Sequence, residues 1–372
     1  MAREWLSGRL VLEDAVMPGR LAVEDGAIAS IEPDDAQSAG PYLLPGFVDV
    51  HVHGWGGHDA MGGRAALDGM SRTLLRRGVT SFLPTGVTSP LPDLVRFAET
   101  VRAWMPDAPD DGAQPLGFDI EGPFISQAKR GAHPPGLVRD RVDLPLADLQ
   151  PLVEGLRIMT VAPEIPGGLE LIRWLTARGV KVSIGHSAAT VDEARAGYAA
   201  GGRTTTHLFN GMSGVDHRAP GLAVTALTDD EVFVELIADG HHVHVAVWDL
   251  IRRAKPADRL ILVSDALSLS GTGPGRTMVG ATDVEVLEDR AVVAGTTTLA
   301  GSVVALDGML RNLVRSGASL PAASRAASAN PLALLEVTDR GRLAAGLRAD
   351  VVEMDDDLEV RRVMRGGVWI AS

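Results

Sequence analysis

The stretch FVDVHVHGWGGHDAM, residues 47–61, begins as an apolar run, carries two histidines one residue apart and then breaks into glycines. A short apolar run of this kind is typical of a buried β-strand. Successive side chains of a strand point to opposite faces, so His51 and His53 share one face. Two imidazoles aimed at one point favour a metal site. The alternative is a polar strand end that meets solvent.

Similar apolar segments recur along the chain, and most are followed by a stretch with apolar residues at helical spacing. The segments begin at residues 47, 79, 115, 156, 180, 203, 231 and 259. Near-continuous apolar strands that alternate with helices are typical of a parallel sheet buried on both faces. The pattern predicts an α/β fold, a (β/α)₈ barrel of the TIM type. A doubly wound sheet is the alternative, but no glycine fingerprint follows the first strand.

The two ends of the chain have a different pattern. Residues 1–46 and 341–372 alternate apolar and polar positions and are rich in turn-forming residues. This pattern is typical of short antiparallel strands. We expect the two ends to join into one small β-sandwich domain, and the barrel to span residues 47–340.

The composition argues against several classes of protein. The chain of 372 residues carries a net charge of −13, whereas a nucleic-acid binder presents a basic face. No run approaches the roughly 18 apolar residues of a membrane helix, so we expect no membrane partner. The sequence has no cysteine and begins without a signal-peptide pattern. We therefore expect a cytoplasmic protein.

Histidines and carboxylates end five of the predicted strands. In a barrel, the active site lies at the carboxyl ends of the strands. The residues at these ends are His51, His53, Glu121, His186, His207 and Asp265. Together they predict a site for one or two divalent ions, with zinc favoured and iron as the alternative. Such an ion lowers the pKa of a bound water to about 7, and a nearby aspartate can move the proton.

Nine motifs carry a family resemblance. In chain order between residues 45 and 335 they are PGFVDVHVHG, DIEGPFIS with GAH, IGHSAAT, THLFNGM, RAPG, IADGHHVH, VSDA, TLAGS and ANPLALL. In these motifs the sequence resembles the amidohydrolase superfamily and, within it, the family of N-acetylglucosamine-6-phosphate deacetylases. The resemblance implies hydrolysis of the N-acetyl amide of an amino-sugar 6-phosphate. It also implies a homodimer in which a neighbouring subunit helps to close the substrate pocket.

The resemblance further implies a role for each matched residue. One metal is held by Glu121, His186 and His207, and a second by His51, His53 and Asp265, with Glu121 as the bridge. Asp265 is the expected general base and later the acid that protonates the leaving amine, and His133 is expected to polarise the acetyl carbonyl. The expected phosphate and sugar contacts are Asn210, Gly211, Arg218 and His242. Flanking or lining residues are Ala132, Asp239, Gly240, His241, Leu299, Ala300 and Gly301.

Three alternatives stay open at this point. The substrate can be N-acetylgalactosamine 6-phosphate or an unphosphorylated N-acyl compound, although a neutral substrate would not need Arg218 and His242. Arg218 can be a surface-loop arginine instead of a phosphate ligand. The chain can also be a non-catalytic barrel that binds a sugar phosphate, although a pure binder would not need Asp265 as a proton shuttle.

Overall fold

The structure is a computed structural model, and it describes residues 3–370. The strands of the first part of the chain are β1 (Glu4–Val11), β2 (Val16–Glu24), β3 (Ala27–Pro33), β4 (Tyr42–Pro45), β5 (Phe47–Val52), β6 (Gly54–Trp55), β7 (His58–Asp59), β8 (Val79–Val87), β9 (Gln114–Pro115), β10 (Phe118–Glu121) and β11 (Leu156–Val161). They are followed by β12 (Lys181–Ile184), β13 (Gly202–Thr205), β14 (Phe233–Leu236), β15 (Leu260–Leu262), β16 (Gly275–Val279), β17 (Thr282–Val286), β18 (Ala291–Val293), β19 (Val351–Met354), β20 (Val360–Arg365) and β21 (Val368–Trp369).

The α-helices are α1 (Arg64–Leu75), α2 (Leu91–Trp104), α3 (Gln150–Val153), α4 (Gly168–Thr176), α5 (Val191–Ala199), α6 (Leu222–Thr228), α7 (Val245–Ala254), α8 (Leu306–Arg315), α9 (Leu320–Ala327) and α10 (Ala329–Leu334). Short 3₁₀ helices lie at Asp35–Gln37, Met105–Asp107, Gln127–Lys129, Arg141–Asp143 and Leu146–Leu149. Within residues 3–370, none of the helices has the length and apolar character needed to cross a membrane.

Eight parallel strands form a barrel, in the order β15, β14, β13, β12, β11, β10, β8 and β5. Backbone hydrogen bonds connect the last strand to the first, since the amide of Asp265 donates to the carbonyl of His51 at 2.9 Å. The eight strands coincide with the eight apolar segments of the sequence. The prediction of a (β/α)₈ barrel is therefore confirmed.

Helix α1 illustrates how the helices cover the barrel. It buries Leu67, Met70 and Leu74, which recur at three- and four-residue spacing on one face. The turn after this helix passes through Gly78, whose φ of +83° is in the left-handed region. A Cβ at Gly78 would also lie 2.8 Å from the ring of Phe47, so the glycine lets the turn pack closely on the first barrel strand.

The two chain ends share one seven-stranded sheet, in the order β21, β20, β19, β4, β1, β2 and β3. The amide of Ile28 donates to the carbonyl of Leu347 at 2.8 Å, and the amide of Ala349 donates to Gly26 at 2.9 Å. These bonds join the start of β3 to the segment before β19, so the sheet curls around a separate apolar core. The prediction that both chain ends build a separate β unit beside the barrel is confirmed.

A third sheet, made of β16, β17 and β18, follows the last barrel strand and was not predicted. Its strands are antiparallel, and Val284 and Val286 pack into a small core with Leu267 and Ala300. The hydroxyl of Thr282 donates to the carbonyl of Ala132 at 2.7 Å. The sheet therefore contacts the loops at the carboxyl ends of the barrel strands.

Candidate active site

The six strand-end residues come together at the carboxyl ends of the barrel strands, and all six are buried. Three groups of side chains, with ligand atoms within 4.8 Å of one another, could hold a metal ion. The groups are His51 with Glu121 and His207, His51 with His53 and Asp265, and Glu121 with His133 and His186. The geometry thus places His133 among the potential ligands, where the resemblance implied that it contacts the substrate and polarises the acetyl carbonyl.

Glu121 is the centre of this cluster. Its Oε1 lies 3.0 Å from Nε2 of His186 and 2.8 Å from Nε2 of His207. Its Oε2 lies 3.3 Å from Nε2 of His53 and 3.4 Å from Nε2 of His133. One carboxylate therefore faces ring nitrogens from four different strand ends or loops, which is the arrangement a bridging ligand needs.

The donor atoms fit a divalent ion. Nε2 of His51 is buried and, among the described residues, has no hydrogen-bond partner. It lies 3.8 Å from Oε2 of Glu121 and 3.6 Å from Oδ1 of Asp265. Nε2 of His133 and Nε2 of His186 face each other at 3.3 Å. Nitrogen and carboxylate donors crowded in this way suit zinc or ferrous iron.

Three of these residues have an uncommon backbone conformation. His186, His207 and Asp265 have φ values of 45°, 26° and 48°. Residues with a side chain seldom adopt a positive φ, and they keep it where the surrounding structure holds them. Asp265 is held by two backbone bonds, since its amide donates to His51 and its carbonyl accepts from Ser302. The strained residues lie just beyond their strands, where the chain turns their side chains into the site.

The pKa values of His51 and Glu121 favour binding of a cation. Burial lowers the pKa of His51 to about 4, so the ring is neutral and offers a lone pair at neutral pH. Burial alone would raise the pKa of Glu121, but His133 and His186 hold it well below its usual value. The carboxylate is therefore ionised at the centre of the site.

Three buried carboxyl groups that the sequence did not single out lie beneath His51. Oδ2 of Asp119 is 3.5 Å and Oε2 of Glu235 is 3.7 Å from its Nδ1. Asp49 accepts from the amide of Ser264 at 3.3 Å. Burial raises the pKa of Asp49 to about 7 and that of Glu235 to about 8. The sequence did contain a signal for two of them. Asp119 and Glu235 are acids inside the apolar runs GFDIEG and VFVELIADG, where burial of a charge is costly.

A cavity of about 340 Å³ opens above the cluster. Its size is in the range of small-molecule sites. Eight of the predicted substrate residues line it, namely Ala132, His133, Asn210, Gly211, His242, Leu299, Ala300 and Gly301. At Gly211 a Cβ would lie 2.6 Å from Nδ1 of His186, and φ is +58°, so this position requires glycine.

The remaining predicted substrate residues do not line the cavity. Arg218 is exposed on the loop that precedes α6. His241 faces Asp289, with Nε2 and Oδ2 3.5 Å apart. The side chain of Asp239 is buried beside the exposed Gly240, and its Oδ2 accepts from Nδ1 of His242 at 2.7 Å. Asp239 therefore orients a residue of the cavity instead of facing the cavity itself.

Fold and site together define a barrel enzyme of the class that gathers metal-ligating side chains at its strand ends. The chain belongs to the amidohydrolase family, whose sequence model matches residues 42–370. It is 37% identical to an N-acetylgalactosamine-6-phosphate deacetylase of Escherichia coli O157:H7 over 95% of this chain and 96% of that protein. It is 39% identical to the human N-acetylglucosamine-6-phosphate deacetylase, over 99% of this chain and 91% of that one.

A solved structure is similar over the whole chain. It is a mutant N-acetyl-D-glucosamine-6-phosphate deacetylase of Mycobacterium smegmatis in complex with N-acetyl-D-glucosamine 6-phosphate. The two chains are 32% identical, each is covered to 100%, and the TM-score is 0.91.

Proposed function

We propose that this chain hydrolyses the N-acetyl amide of N-acetyl-D-glucosamine 6-phosphate to D-glucosamine 6-phosphate and acetate, as a step of amino-sugar catabolism. The observation that carries the proposal is the position of Asp265, buried among the ring nitrogens of the cluster and lining the cavity that also contains His242. A deacetylase that acts on a sugar phosphate needs a residue that carries protons and a residue that contacts the phosphate, and both must reach the same small substrate.

For the metal, we propose a first site of Glu121, His186 and His207 and a second of His51, His53 and Asp265, so that one or two ions bind per chain. We expect zinc, with iron as the alternative. When bound, the ion supplies Lewis acidity, which polarises the acetyl carbonyl and lowers the pKa of a water to about 7.

The proton transfers are assigned to Asp265. Oδ1 of Asp265 lies 3.3 Å from Nε2 of His53. The burial of Asp265 alone would raise its pKa, but the hydrogen bond with His53 and the charge of His53 lower it, so the carboxylate starts ionised. It takes the proton of the attacking water and then delivers that proton to the amide nitrogen, which leaves poorly without one. His133 stabilises the negative charge that develops on the acetyl oxygen.

For the substrate, we propose that Asn210, the amide of Gly211 and His242 contact the phosphate and sugar. Burial would lower the pKa of His242, but the hydrogen bond and charge of Asp239 raise it above its usual value. His242 thus keeps a positive charge inside a protein whose net charge is −13. The segment Leu299, Ala300 and Gly301 contributes to the opposite wall, together with Ala132.

Arg218 is exposed and does not line this cavity. We propose that the protein is a homodimer and that Arg218 binds the phosphate in the cavity of the second copy. The forked guanidinium suits a phosphate group. Val215, three residues away, is a large apolar side chain with 59% exposure, which fits a loop that is covered in a dimer.

We also propose that residues 1–46 and 341–372 act as one domain, that residues 47–340 act as the other, and that the enzyme works in the cytoplasm.

One experiment tests the function. Purified chain reconstituted with zinc or iron and incubated with N-acetyl-D-glucosamine 6-phosphate should release acetate and free amine in equal amounts. The absence of both products with either metal would reject the proposal.

The second candidate substrate is N-acetylgalactosamine 6-phosphate. It is favoured by the similarity to the Escherichia coli enzyme of that name. The two sugars differ only in the configuration of one hydroxyl, and the catalytic roles given above are the same for both. The same assay covers the other two alternatives. Release of amine from a different N-acyl compound would indicate another substrate, and binding of the sugar phosphate without release of products would indicate a non-catalytic protein.

A further inference from the structure

The cavity above the cluster has an apolar wall to which the sequence assigned no role. The side chains of this apolar wall are Val87, Leu267 and Val279, and all three line the cavity. Val87 is the last residue of β8, Leu267 follows Asp265 by two residues, and Val279 is the last residue of β16. Val87 and Leu267 are buried, and Val279 is half-buried against the small core that contains Leu267.

The third sheet brings Val279 to the cavity through the alternation of its first strand. In β16, Arg276 and Met278 are exposed, whereas Thr277 and Val279 are half-buried. Successive side chains of a strand point to opposite faces, so Thr277 and Val279 share the inward face. The hydroxyls of Thr277 and Ser268 lie 2.8 Å apart, which attaches this face to the segment that follows the last barrel strand.

The turn and the second strand of the hairpin attach it to two further loops of the barrel. A Cβ at Gly280 would lie 3.0 Å from Cγ1 of Val87, so the turn packs closely on the end of β8. On β17, the hydroxyl of Thr282 donates to the carbonyl of Ala132. Val279 is therefore held in place by contacts on both sides of it, and the apolar wall is a fixed part of the cavity.

The order of the barrel strands places the apolar wall away from the proposed phosphate contacts. Asn210 and Gly211 follow β13, and His242 follows β14. Val87 ends β8 and Leu267 follows β15, and these two strands are the neighbours of β5 on either side. The cavity thus has a polar side and an apolar side, and a substrate whose phosphate contacts the polar side directs its other end to the apolar wall.

The apolar wall also lies beside the two residues that we propose act on the amide. Thr88 follows Val87, and its hydroxyl oxygen lies 2.8 Å from Nδ1 of His133. Leu267 lies two residues after Asp265. An amide whose oxygen faces His133 and whose nitrogen is within reach of Asp265 therefore has its acyl carbon chain next to apolar side chains. Removal of that chain from water is favourable.

We infer that Val87, Leu267 and Val279 form the pocket for the acyl group, and that Val279 limits the length of the acyl chain that the enzyme removes. The inference rests on the proposed deacetylase function and specifies the acyl half of its substrate. An acetyl group ends at the apolar wall, and each additional methylene has to displace a valine that the hairpin holds in place.

The test compares kcat/KM of the zinc-loaded, full-length protein for N-acetyl- and N-propionylglucosamine 6-phosphate. Val279→Ala removes two methyl groups from the apolar wall, and Val279→Leu extends the side chain. Val293→Ala is the matched control, because Val293 is a half-buried valine of β18 that packs on the same small core and does not line the cavity.

One methylene in an apolar pocket changes discrimination by roughly 10- to 200-fold. The ratio of kcat/KM for the propionyl compound to that for the acetyl compound should therefore rise about tenfold in Val279→Ala. The ratio should fall in Val279→Leu and should keep its wild-type value in Val293→Ala. An unchanged ratio in both Val279 variants would overturn the inference. So would an equal change for both compounds, which would place Val279 against the sugar.

A binding measurement gives a result that does not depend on turnover. Calorimetry with the same two compounds, on Asp265→Asn with and without Val279→Ala, should show the same shift towards the propionyl compound. If Val279→Ala did not fold, Val279→Leu would decide in both measurements, because its expected effect has the opposite sign. Absence of amine release from either compound by wild type would reject the proposed function, and the ratio of affinities would then decide the pocket. Asp265→Asn that binds neither compound would overturn the inference as well.

Discussion

Oδ2 of Asp239 lies 2.7 Å from Nδ1 of His242, and both side chains are buried. Oδ1 of the same carboxylate accepts from the backbone amides of His241 and His242, at 2.9 Å each. These two amide hydrogen bonds fix the carboxylate of Asp239, and the fixed carboxylate can hold the imidazole of His242 in one orientation. Because His242 lines the cavity, this pair links a buried acid to the proposed phosphate contact.

The pair predicts a pH dependence of substrate binding. His242 is charged below its pKa, and Asp239 raises that pKa, so the cation persists to higher pH than in a free histidine. KM for the phosphorylated sugar should rise as the pH increases through this raised pKa. In Asp239→Asn the carboxylate no longer opposes the effect of burial, so the pKa of His242 should fall. The rise of KM should then occur at lower pH, and KM at neutral pH should be higher than in wild type.

The control for this prediction is Asp289→Asn, which removes the carboxylate beside His241 at the surface. It should leave the profile unchanged. Identical pH profiles of KM for wild type and Asp239→Asn would contradict the assignment of His242 to the phosphate.

The metal assignment predicts unequal effects of the histidines. His207→Ala or His186→Ala should remove the tighter ion, because each nitrogen directly faces Oε1 of Glu121. His51→Ala should weaken only the second ion. Elemental analysis of protein purified without chelator measures both, and the exposed His217 supplies His217→Ala as a control that should keep the full content. Wild-type protein with little metal and with activity insensitive to chelators would refute the site.

Asp265→Asn tests the proton transfers. Asparagine keeps the shape but cannot accept the proton, and general acid–base catalysis contributes roughly 10² to 10⁴ in rate. Because Asp265 has both roles, we expect kcat to fall towards the upper part of that range while the first metal and the substrate still bind. If Asp265 were only a ligand or a strand-end acceptor, metal would be lost with the rate and added metal would restore activity. Measuring kcat, bound metal and affinity on one sample distinguishes the two.

Arg218→Ala tests the dimer. Loss of a charge-assisted contact should raise KM for the phosphorylated sugar by about ten- to a hundredfold. Dimers of Arg218→Ala and of Asp265→Asn can be dissociated, mixed and re-formed. If Arg218 acts on the second copy, each mixed dimer has one intact cavity, with Asp265 from one subunit and Arg218 from the other. Activity at low substrate concentration should then be restored. Failure of the mixture to recover, although sedimentation shows mixed dimers, would place Arg218 elsewhere.

The sequence predicted those parts of the site that follow from strand periodicity. His51, Glu121 and His207 were identified because they end apolar runs, and parallel strands of a barrel end on one face. Asp119 and Glu235 were not identified. They lie beneath His51, and this position follows only once it is known which face of each strand points into the barrel. The sheet of β16–β18 was missed although TDVEV alternates, since a barrel repeat does not require it.

Contacts made by loops were predicted least well. Arg218 and His242 were assigned alike from the resemblance, yet one is exposed and the other lines the cavity. Thr88 is a second example. Its hydroxyl lies within hydrogen-bond distance of Glu121 and His133, and these partners are 33 and 45 positions away along the chain, so no local sequence pattern indicates the contacts. Long-range contacts of this kind are decided by tertiary packing and not by local pattern.

The most direct test of the central claim is a comparison of kcat/KM on four sugars after metal reconstitution, with Asp265→Asn as the control for chemistry at this site. The sugars are N-acetylglucosamine and N-acetylgalactosamine, each with and without the 6-phosphate. We predict the highest kcat/KM for N-acetylglucosamine 6-phosphate, a clear loss for both unphosphorylated sugars, and strongly reduced amine release in Asp265→Asn. Equal turnover of phosphorylated and plain sugars, or equal turnover by wild type and Asp265→Asn, would contradict the account.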